Sequence, residues 1–282
     1  MTTVDELLAQ ARADGLDRLD AQLLLGHRLA RPRAWLLAHG DDTVPEGARL
    51  ALEGDFVARR RGVPLAYLIG EREFHGLMLR VTPDVLVPRP DTEVLVDWAL
   101  ELLAGPLAAE TSPAIADLGS GSGAIAVAIG HACPRAQVLA LDASPAALAV
   151  TRDNAARHGL AIETVQSDWL RGVGPRHFHL LLSNPPYIDG DDPHLLALHA
   201  EPAMALTPGA DGLAALYAIV AQSPPHLHGG GWLLLEHGHT QATAVAARLT
   251  AAGFEQVRTR RDLAGNPRCT GGRWTPRPGA SI

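Results

Sequence analysis

The 282-residue sequence has no lysine; all 24 of its basic residues are arginine. That absence excludes a Walker-A phosphate loop, a Schiff-base lysine and attachment of pyridoxal phosphate, each of which needs an ε-ammonium. Cysteine is scarce too. Cys133 and Cys269 lie far apart with no Cys-x-x-Cys spacing, so neither a disulfide framework nor a zinc site is indicated, and a reducing cytoplasm is the expected compartment. No apolar run reaches membrane-spanning length without Asp, Arg or a Gly/Ser cluster, and Met1-Thr2-Thr3-Val4-Asp5-Glu6 has the wrong charge for a signal peptide. Membrane and secretory functions are therefore not expected. An excess of positive charge is missing as well: the net charge is -7. This counts against bulk binding to a polyphosphate, which relies on Lys and Arg to neutralise phosphates, although a local arginine patch could still hold one. What the chain does have is 47% apolar residues, enough for one large or two modest domains.

Residues 1–72 carry apolar residues at helical spacing: Val4, Leu7, Leu8 and Ala11; then Leu19, Leu23, Leu24 and His27; then Leu50, Phe56 and Val57. A small helical domain is predicted, its last helix ending at Arg59-Arg60-Arg61-Gly62. The basic triplet reads first as a solvated helix end, where cations meet the negative end of the dipole, and second as a partner-binding patch. Residues 73–90 alternate in short runs around Pro83-Asp84 and predict a linking β-hairpin. Asp91-Thr92-Glu93 then starts a helix bearing Val94, Leu95, Trp98, Leu102 and Leu103.

Residues 91–282 form the second expected domain. Strand-like runs at Ala114 to Leu118, Gln137 to Asp142, Ile162 to Gln166, Phe178 to Ser183, Trp232 to Glu236, Phe254 to Arg260 and Gly272 to Thr275 alternate with helical segments. This is the pattern of an α/β sheet with helices on both faces. Such sheets bind ligands beyond the carboxyl ends of their strands, near the point where strand order reverses. Repeats are absent, and Pro276 to Ile282 reads as a frayed tail.

Residues with chemical potential follow the strands. Gly119-Ser120-Gly121-Ser122-Gly123 succeeds the first strand and opens a helix, so a ligand can approach its backbone and meet its amides. A dinucleotide loop would read G-x-G-x-x-G, and the spacing here differs. Asp142 ends the second strand, where its carboxylate can accept from a ribose diol, while Ser144 is the better cap for the helix that follows. Asp168 and Trp169 follow the third strand; the carboxylate suits an adenine amino group and the indole suits the ring face. The fourth strand runs into Asn184-Pro185-Pro186-Tyr187. Two prolines remove two backbone donors, Asn184 adds a side-chain carbonyl, and Tyr187 adds a ring. Together they form an acceptor site for a planar NH2 group.

Taken together these residues resemble class I S-adenosylmethionine-dependent methyltransferases with an Asn/Asp-Pro-Pro-Tyr/Phe motif. Further segments narrow the resemblance: Phe74-His75-Gly76, Val87-Pro88-Arg89-Pro90-Asp91-Thr92-Glu93, Asn184 to Ile188, Glu201-Pro202 with Leu206, Asp211-Gly212-Leu213, and Leu233-Leu234-Leu235-Glu236-His237-Gly238. They are similar to the HemK-type (PrmC family) peptide chain release factor glutamine methyltransferases. The resemblance runs from about residue 64 to 275, and the helical N-terminus suits that family's substrate-docking domain.

The resemblance implies a seven-stranded Rossmann-like sheet. It implies that Gly119 to Gly123, Asp142, Asp168, Trp169 and Asn184 contact S-adenosylmethionine, that S-adenosylhomocysteine is the product, and that Asn184, Pro185, Pro186 and Tyr187 hold the substrate glutamine. Asn184, Pro185 and Tyr187 would be the catalytic set. The reaction would place a methyl on the side-chain nitrogen (N5) of the glutamine in the Gly-Gly-Gln loop of class I release factors, by a monomer with no stable nucleic-acid binding. His75 departs from the family pattern, which has a larger aromatic or a polar residue between Phe and Gly.

Rival readings remain. A glutamine methyltransferase of a ribosomal protein would share the chemistry, and an adenine-N6 or guanine-N2 nucleic-acid methyltransferase would use the same acceptor site after base flipping. The acidic charge argues against the latter. His226-Leu227-His228 and Glu236-His237-Gly238-His239 could be imagined as metal ligands, but no carboxylate and cysteine constellation supports them, so no metal is expected. Arg89 to Glu93 reads equally well as a helix start or a pocket rim.

Overall fold

The computed structural model describes residues 2–209 and 211–276. The tail expected from Pro276 lies, from residue 277 on, outside the described residues. The chain divides into two compact units: Met1–Glu71 with Ala197–Ala200, and Arg72–Leu196 with Glu201–Ile282.

In the first unit, helices α1 (Val4–Ala13), α2 (Arg18–Leu29), α3 (Arg33–Ala38), α4 (Glu46–Arg60) and α5 (Leu65–Ile69) surround one core. Thr3 and Glu6 cap α1 reciprocally: the Thr3 Oγ1 accepts from the Glu6 amide and the Glu6 carboxylate accepts from the Thr3 amide. The buried face of α2 is Ala21, Gln22, Leu24 and Leu25, and that of α4 is Leu52, Asp55 and Phe56. The expected stripes were different, since Leu19, His27, Leu50 and Val57 are exposed. The physical reason is the Arg28–Asp55 pair, two hydrogen bonds of 2.6 and 2.7 Å, which turns a polar side chain of α4 inward and shifts the apolar stripes beside it. The arginine triplet is largely spent internally: Arg59 bonds Asp20 at 2.6 Å and Arg60 pairs with Asp14 at 3.1 Å.

A two-stranded hairpin, β1 (Glu71–Phe74) and β2 (Leu77–Arg80), lies from Arg72 onward in the second unit. Its turn is His75-Gly76, both at positive φ (50° and 77°), the backbone that matches hairpin twist. Pro83-Asp84 lies beyond the hairpin in a separate turn, because the prolines at 83, 88 and 90 cannot donate ladder bonds. The odd residue of the family comparison, His75, ties this turn to helix α6 (Glu93–Ala104). Its amide donates to Glu93 Oε1 at 3.1 Å and its Nε2 lies 3.0 Å from Asp97 Oδ1.

The main sheet has seven strands, as expected from the apolar runs: β3 (Ala114–Leu118), β4 (Gln137–Asp142), β5 (Glu163–Gln166), β6 (Phe178–Ser183), β7 (Leu227–Glu236), β8 (Phe254–Arg261) and β9 (Pro267–Trp274). Their order is β5-β4-β3-β6-β7-β9-β8, with β9 antiparallel to both neighbours and the rest parallel. Helices α6, α7 (Ala124–Ala132), α8 (Pro145–Arg157), α9 (Ala203–Leu206), α10 (Ala214–Gln222) and α11 (Ala242–Ala251) complete the unit. Two separate clusters of buried apolar residues include the residues of alternate sides of β3 and β6, so helices cover both faces. Among the described residues, no helix is long and apolar enough to cross a membrane.

The chain runs outward from β3 through β4 to β5, then returns to β6 on the other side of β3. Strand order therefore reverses between β3 and β6, which opens a crevice at their carboxyl ends.

Candidate active site

A cavity of about 190 Å³ lies at that reversal, lined by residues of the second unit alone. It brings together Gly119, Ser120, Gly121, Ser122, Asp142, Asp168, Trp169, Asn184 and Pro186. Gly123, Pro185 and Tyr187 do not line it.

The glycine loop offers open space more than free amides. Gly119 and Ser120 donate to the Leu141 carbonyl at 2.8 and 2.9 Å, Gly121 donates to Asp142 Oδ2 at 2.9 Å, and Gly123 donates to the Ser120 carbonyl at 2.7 Å. The expectation that these amides contact ligand directly is thus modified: they shape the loop. A Cβ on Gly121 would meet nothing within 4 Å, so bare backbone faces the cavity there. At Gly119 a Cβ would come within 3.3 Å of the Trp169 ring, so only glycine lets the indole lie against the loop. Helix α8 clamps the loop from behind. Thr151 Oγ1 donates to the Gly121 carbonyl at 3.0 Å, and Asn154 Nδ2 donates to the Ser122 carbonyl at 2.8 Å.

Asp142 is not left free by Ser144, although Ser144 does cap α8 by accepting from Ala147 at 3.2 Å. The two Asp142 oxygens accept from Gly121 and Ser144, at 2.9 and 2.8 Å. Each oxygen keeps a lone pair for a further donor. Burial pushes this carboxyl's pKa up, and the amides of Ser144, Gly121 and Ala143 oppose that rise. Trp169 sits at φ 53°, a left-handed backbone that costs energy for a bulky residue and is retained chiefly at functional sites. Asp168 pairs with Arg171 at 3.0 Å beside it. Bare backbone, a twice-anchored carboxylate with spare lone pairs and an indole face make a donor and acceptor set that fits a nucleoside-bearing cofactor.

On the β6 side, Asn184 Nδ2 donates to Thr92 Oγ1 at 3.1 Å. With its NH2 so engaged, Asn184 keeps its carbonyl oxygen as an acceptor, next to two prolines that have no N–H. Tyr187 turns away from the cavity: its hydroxyl donates to Glu236 Oε1 at 3.1 Å and its ring packs against the core cluster that includes Leu235. The expectation that its ring lies on bound substrate finds no support in this placement.

Three residues escaped the sequence reading as participants. Thr92 read only within a segment that was either a helix start or a pocket rim, and Glu236 only within a strand-exit motif that was also weighed as a metal site. Glu236 is 1% exposed, its Oε2 has no hydrogen-bond partner, and burial pushes its pKa to about 7 against the opposing hydroxyls of Thr92 and Tyr187 and the charge of Arg268. Asp117, at the end of β3, is fully buried with Oδ1 unpartnered, and burial raises it to about 7 despite the Ala126 amide at 3.1 Å. An acid at or next to the last position of an apolar run was the available signal in both cases. Two of the histidines that suggested metal ligands have other partners: His237 engages the Gly238 carbonyl and Thr270 Oγ1 at 2.9 and 2.7 Å, and His226 the Arg176 carbonyl at 3.1 Å. Arg89 pairs with buried Glu201, whose other oxygen accepts from the Val87 amide at 3.0 Å, so the Arg89 segment forms a cavity rim as well as a helix start.

Residues 92–209 match the Methyltransferase small domain family and residues 3–70 the PrmC N-terminal domain. The release factor glutamine methyltransferase of Bordetella pertussis is 48% identical over 276 residues, covering 96% of this chain and 99% of that protein. The protein of the same name from Burkholderia pseudomallei is 46% identical over 280 residues, covering 96% of each. A solved methyltransferase from Pyrococcus furiosus shares the fold, with TM-score 0.53 and 17% identity over 71% of this chain and 90% of that one. Identity of this extent over both units shows that the chain belongs to the release factor glutamine methyltransferase family of S-adenosylmethionine-dependent enzymes.

Proposed function

We propose that the protein methylates N5 of the glutamine in the Gly-Gly-Gln loop of class I peptide chain release factors, acting as a cytoplasmic monomer. The observation that carries this reading is the orientation of Asn184, whose NH2 is held by Thr92 while its carbonyl remains available beside the prolines.

The proposed cofactor side is Gly119 to Gly123, Asp142, Asp168, Trp169 and Asn184. Asp142 accepts from ribose hydroxyls, Asp168 from the adenine amino group, and Trp169 covers the ring. When bound, S-adenosylmethionine supplies a methyl group on a positively charged sulfur and leaves as S-adenosylhomocysteine.

The substrate side follows from the weakness of the nucleophile. An amide nitrogen delocalises its lone pair into its carbonyl. Two acceptors, Asn184 Oδ1 and the Pro185 carbonyl, would hold both amide hydrogens, orient the nitrogen and favour the positive charge that develops on it. No strong base is needed, because the nitrogen becomes acidic as it is alkylated and its proton can leave during or after transfer. Pro186 shapes the cavity wall, and Tyr187 supports the loop from behind through Glu236.

The test incubates the protein with labelled S-adenosylmethionine and, separately, unmethylated class I release factor, a ribosomal protein mixture, and unmodified DNA or RNA, followed by mass mapping. One methyl on the Gly-Gly-Gln glutamine is the expected outcome. Label confined to ribosomal protein would change the partner, and label on nucleic acid would overturn the substrate class.

A further inference from the structure

We propose that Asn154 is a positioning residue that fixes the spacing between two stretches of chain that line the cavity: the glycine loop, and the segment that runs from the hairpin to Arg89. The inference rests on the reading of that loop as the S-adenosylmethionine site and adds to it a side chain that stands behind the cavity lining.

Helix α8 presents two polar residues one turn apart, Thr151 and Asn154, both fully buried. The glycine loop lies directly on them, since a Cβ at Gly123 would meet Thr151 Cγ2 at 2.9 Å. Thr151 holds the Gly121 carbonyl and Asn154 the Ser122 carbonyl, both through side-chain donors. Asn154 also reaches away from the loop. Its Nδ2 donates to the Arg80 carbonyl at 2.9 Å, and its Oδ1 accepts from the Arg80 amide at 2.7 Å. Arg80 ends β2, which pairs with β1 in a two-stranded sheet, so its outward N–H and C=O have no further strand to meet. The carboxamide takes the place of that strand.

One amide thus holds three backbone groups, and both of its N–H donors are used. Burying a carboxamide is costly unless its bonds are made. Here each bond runs to backbone on which the cavity depends. Phe74 precedes Arg80, and Asp84, Val85, Leu86, Pro88 and Arg89 follow it; all of these line the cavity together with Gly119 to Ser122.

The other ties between α8 and β2 lie at the surface and grip the hairpin alone. Arg80 pairs with Asp153, and His158 Nε2 engages the Met78 carbonyl at 3.0 Å. Asn154 bonds both the hairpin and the loop.

The test uses the full chain with Asn154→Ala, Asn154→Asp and Asp153→Ala, and takes Gly119→Ala as the reference for damage to the loop. It reads the S-adenosylmethionine Kd by calorimetry and, at saturating cofactor, kcat/KM for a class I release factor. Asn154→Ala should raise Kd about tenfold and lower kcat/KM about tenfold, because both stretches are released. Asn154→Asp keeps the acceptor for the Arg80 amide but sets a carboxylate against two carbonyls. Its Kd should exceed the wild-type value by about tenfold or more near pH 8 and fall back toward it near pH 6, where the new carboxyl takes up a proton and can donate again. Arg80, Asp153 and His158, the ionisable groups around the site, and Asp142 across the loop are common to both proteins, so the ratio of the two values isolates the new carboxyl. Asp153→Ala, which loses only an exposed ion pair, should leave Kd within about twofold.

Hydrogen exchange on the wild type needs no variant. Saturating S-adenosylmethionine should slow exchange in residues 77–82 by more than in β8 and β9, although Arg80 does not line the cavity. Wild-type Kd and kcat/KM in Asn154→Ala, a ratio for Asn154→Asp that ignores pH, an equal rise of Kd in Asp153→Ala, or no extra protection of residues 77–82 would overturn the proposal. Should the Asn154 variants unfold, the exchange measurement decides alone. A Gly119→Ala protein that binds cofactor as the wild type does would instead overturn the assignment of the loop on which the proposal rests.

Discussion

The buried acids of the two units are handled in opposite ways. In the helical unit, Asp55 is gripped by Arg28 through two hydrogen bonds and joins α2 to α4. At the carboxyl ends of β3 and β7, Asp117 and Glu236 are more deeply buried, yet each keeps one oxygen without a partner. A paired acid serves the fold, since both its oxygens are satisfied. An acid held half-satisfied costs stability and tends to persist where its charge has another use. Glu201 and Asp262, also in the sheet unit, follow the first pattern, each bonded to arginine and backbone. The contrast therefore separates Asp117 and Glu236, near the carboxyl ends of their strands, from the buried acids that are bound to arginine.

The largest expected effect lies on the cavity side. Asn184→Ala should reduce kcat by about 10²–10³-fold at saturating cofactor, the range found when a preorganised transition-state contact is deleted. Folding, followed by circular dichroism, should be unaltered.

On the scaffold side, Arg28→Ala should cost about 1–3 kcal/mol in urea unfolding. It strands the Asp55 charge, but the partly exposed arginine tempers the loss. Cofactor affinity should not change. If Arg28→Ala weakened cofactor binding, or Asn184→Ala lowered stability by as much, the division between the two kinds of site would fail.

Gly119→Ala tests the loop that faces both. The added Cβ would press on Trp169, at a backbone φ of 77° that favours glycine. Cofactor Kd should rise by roughly tenfold, of the order of a strained φ plus a displaced contact. Titration followed by tryptophan fluorescence would measure it.

A further effect concerns the acids themselves. Asp117 has a folded pKa raised from 3.8 to about 7. The native state therefore holds its proton where the unfolded chain has released it. The stability this gives is fully present below about pH 4 and is lost as pH rises through about 7. Asp117→Asn should flatten the decline of unfolding free energy across that window, as measured by urea unfolding at a series of pH values.

How much of this was legible in the sequence follows from range. The central strands stood out because parallel strands covered on both faces read as nearly unbroken apolar runs such as Leu180-Leu181-Leu182 and Leu233-Leu234-Leu235. Asp142, Trp169 and Asn184 were legible as cavity-lining residues because each lies at, or within three residues beyond, the end of its strand. The hairpin was misplaced because Pro83-Asp84 looks like a turn, while the actual turn uses His75 at φ 50°, an uncommon choice for a non-glycine residue. Helix faces in the first unit were misjudged because leucines at 23, 24 and 25 suit several stripes, and the Arg28–Asp55 pair that selects one is a contact between helices. The Asn184–Thr92 contact was illegible for the same reason: it joins the end of β6 to a helix start some 90 residues upstream.

The most direct test of the account is a rate of methyl transfer to a class I release factor at saturating S-adenosylmethionine, with the modified residue mapped by mass, for wild type and Asn184→Ala side by side. The account predicts one methyl on the Gly-Gly-Gln glutamine in the wild type and a rate at least about 100-fold lower in the variant. A methyl mapped elsewhere, or a variant that transfers at close to the wild-type rate, would contradict it.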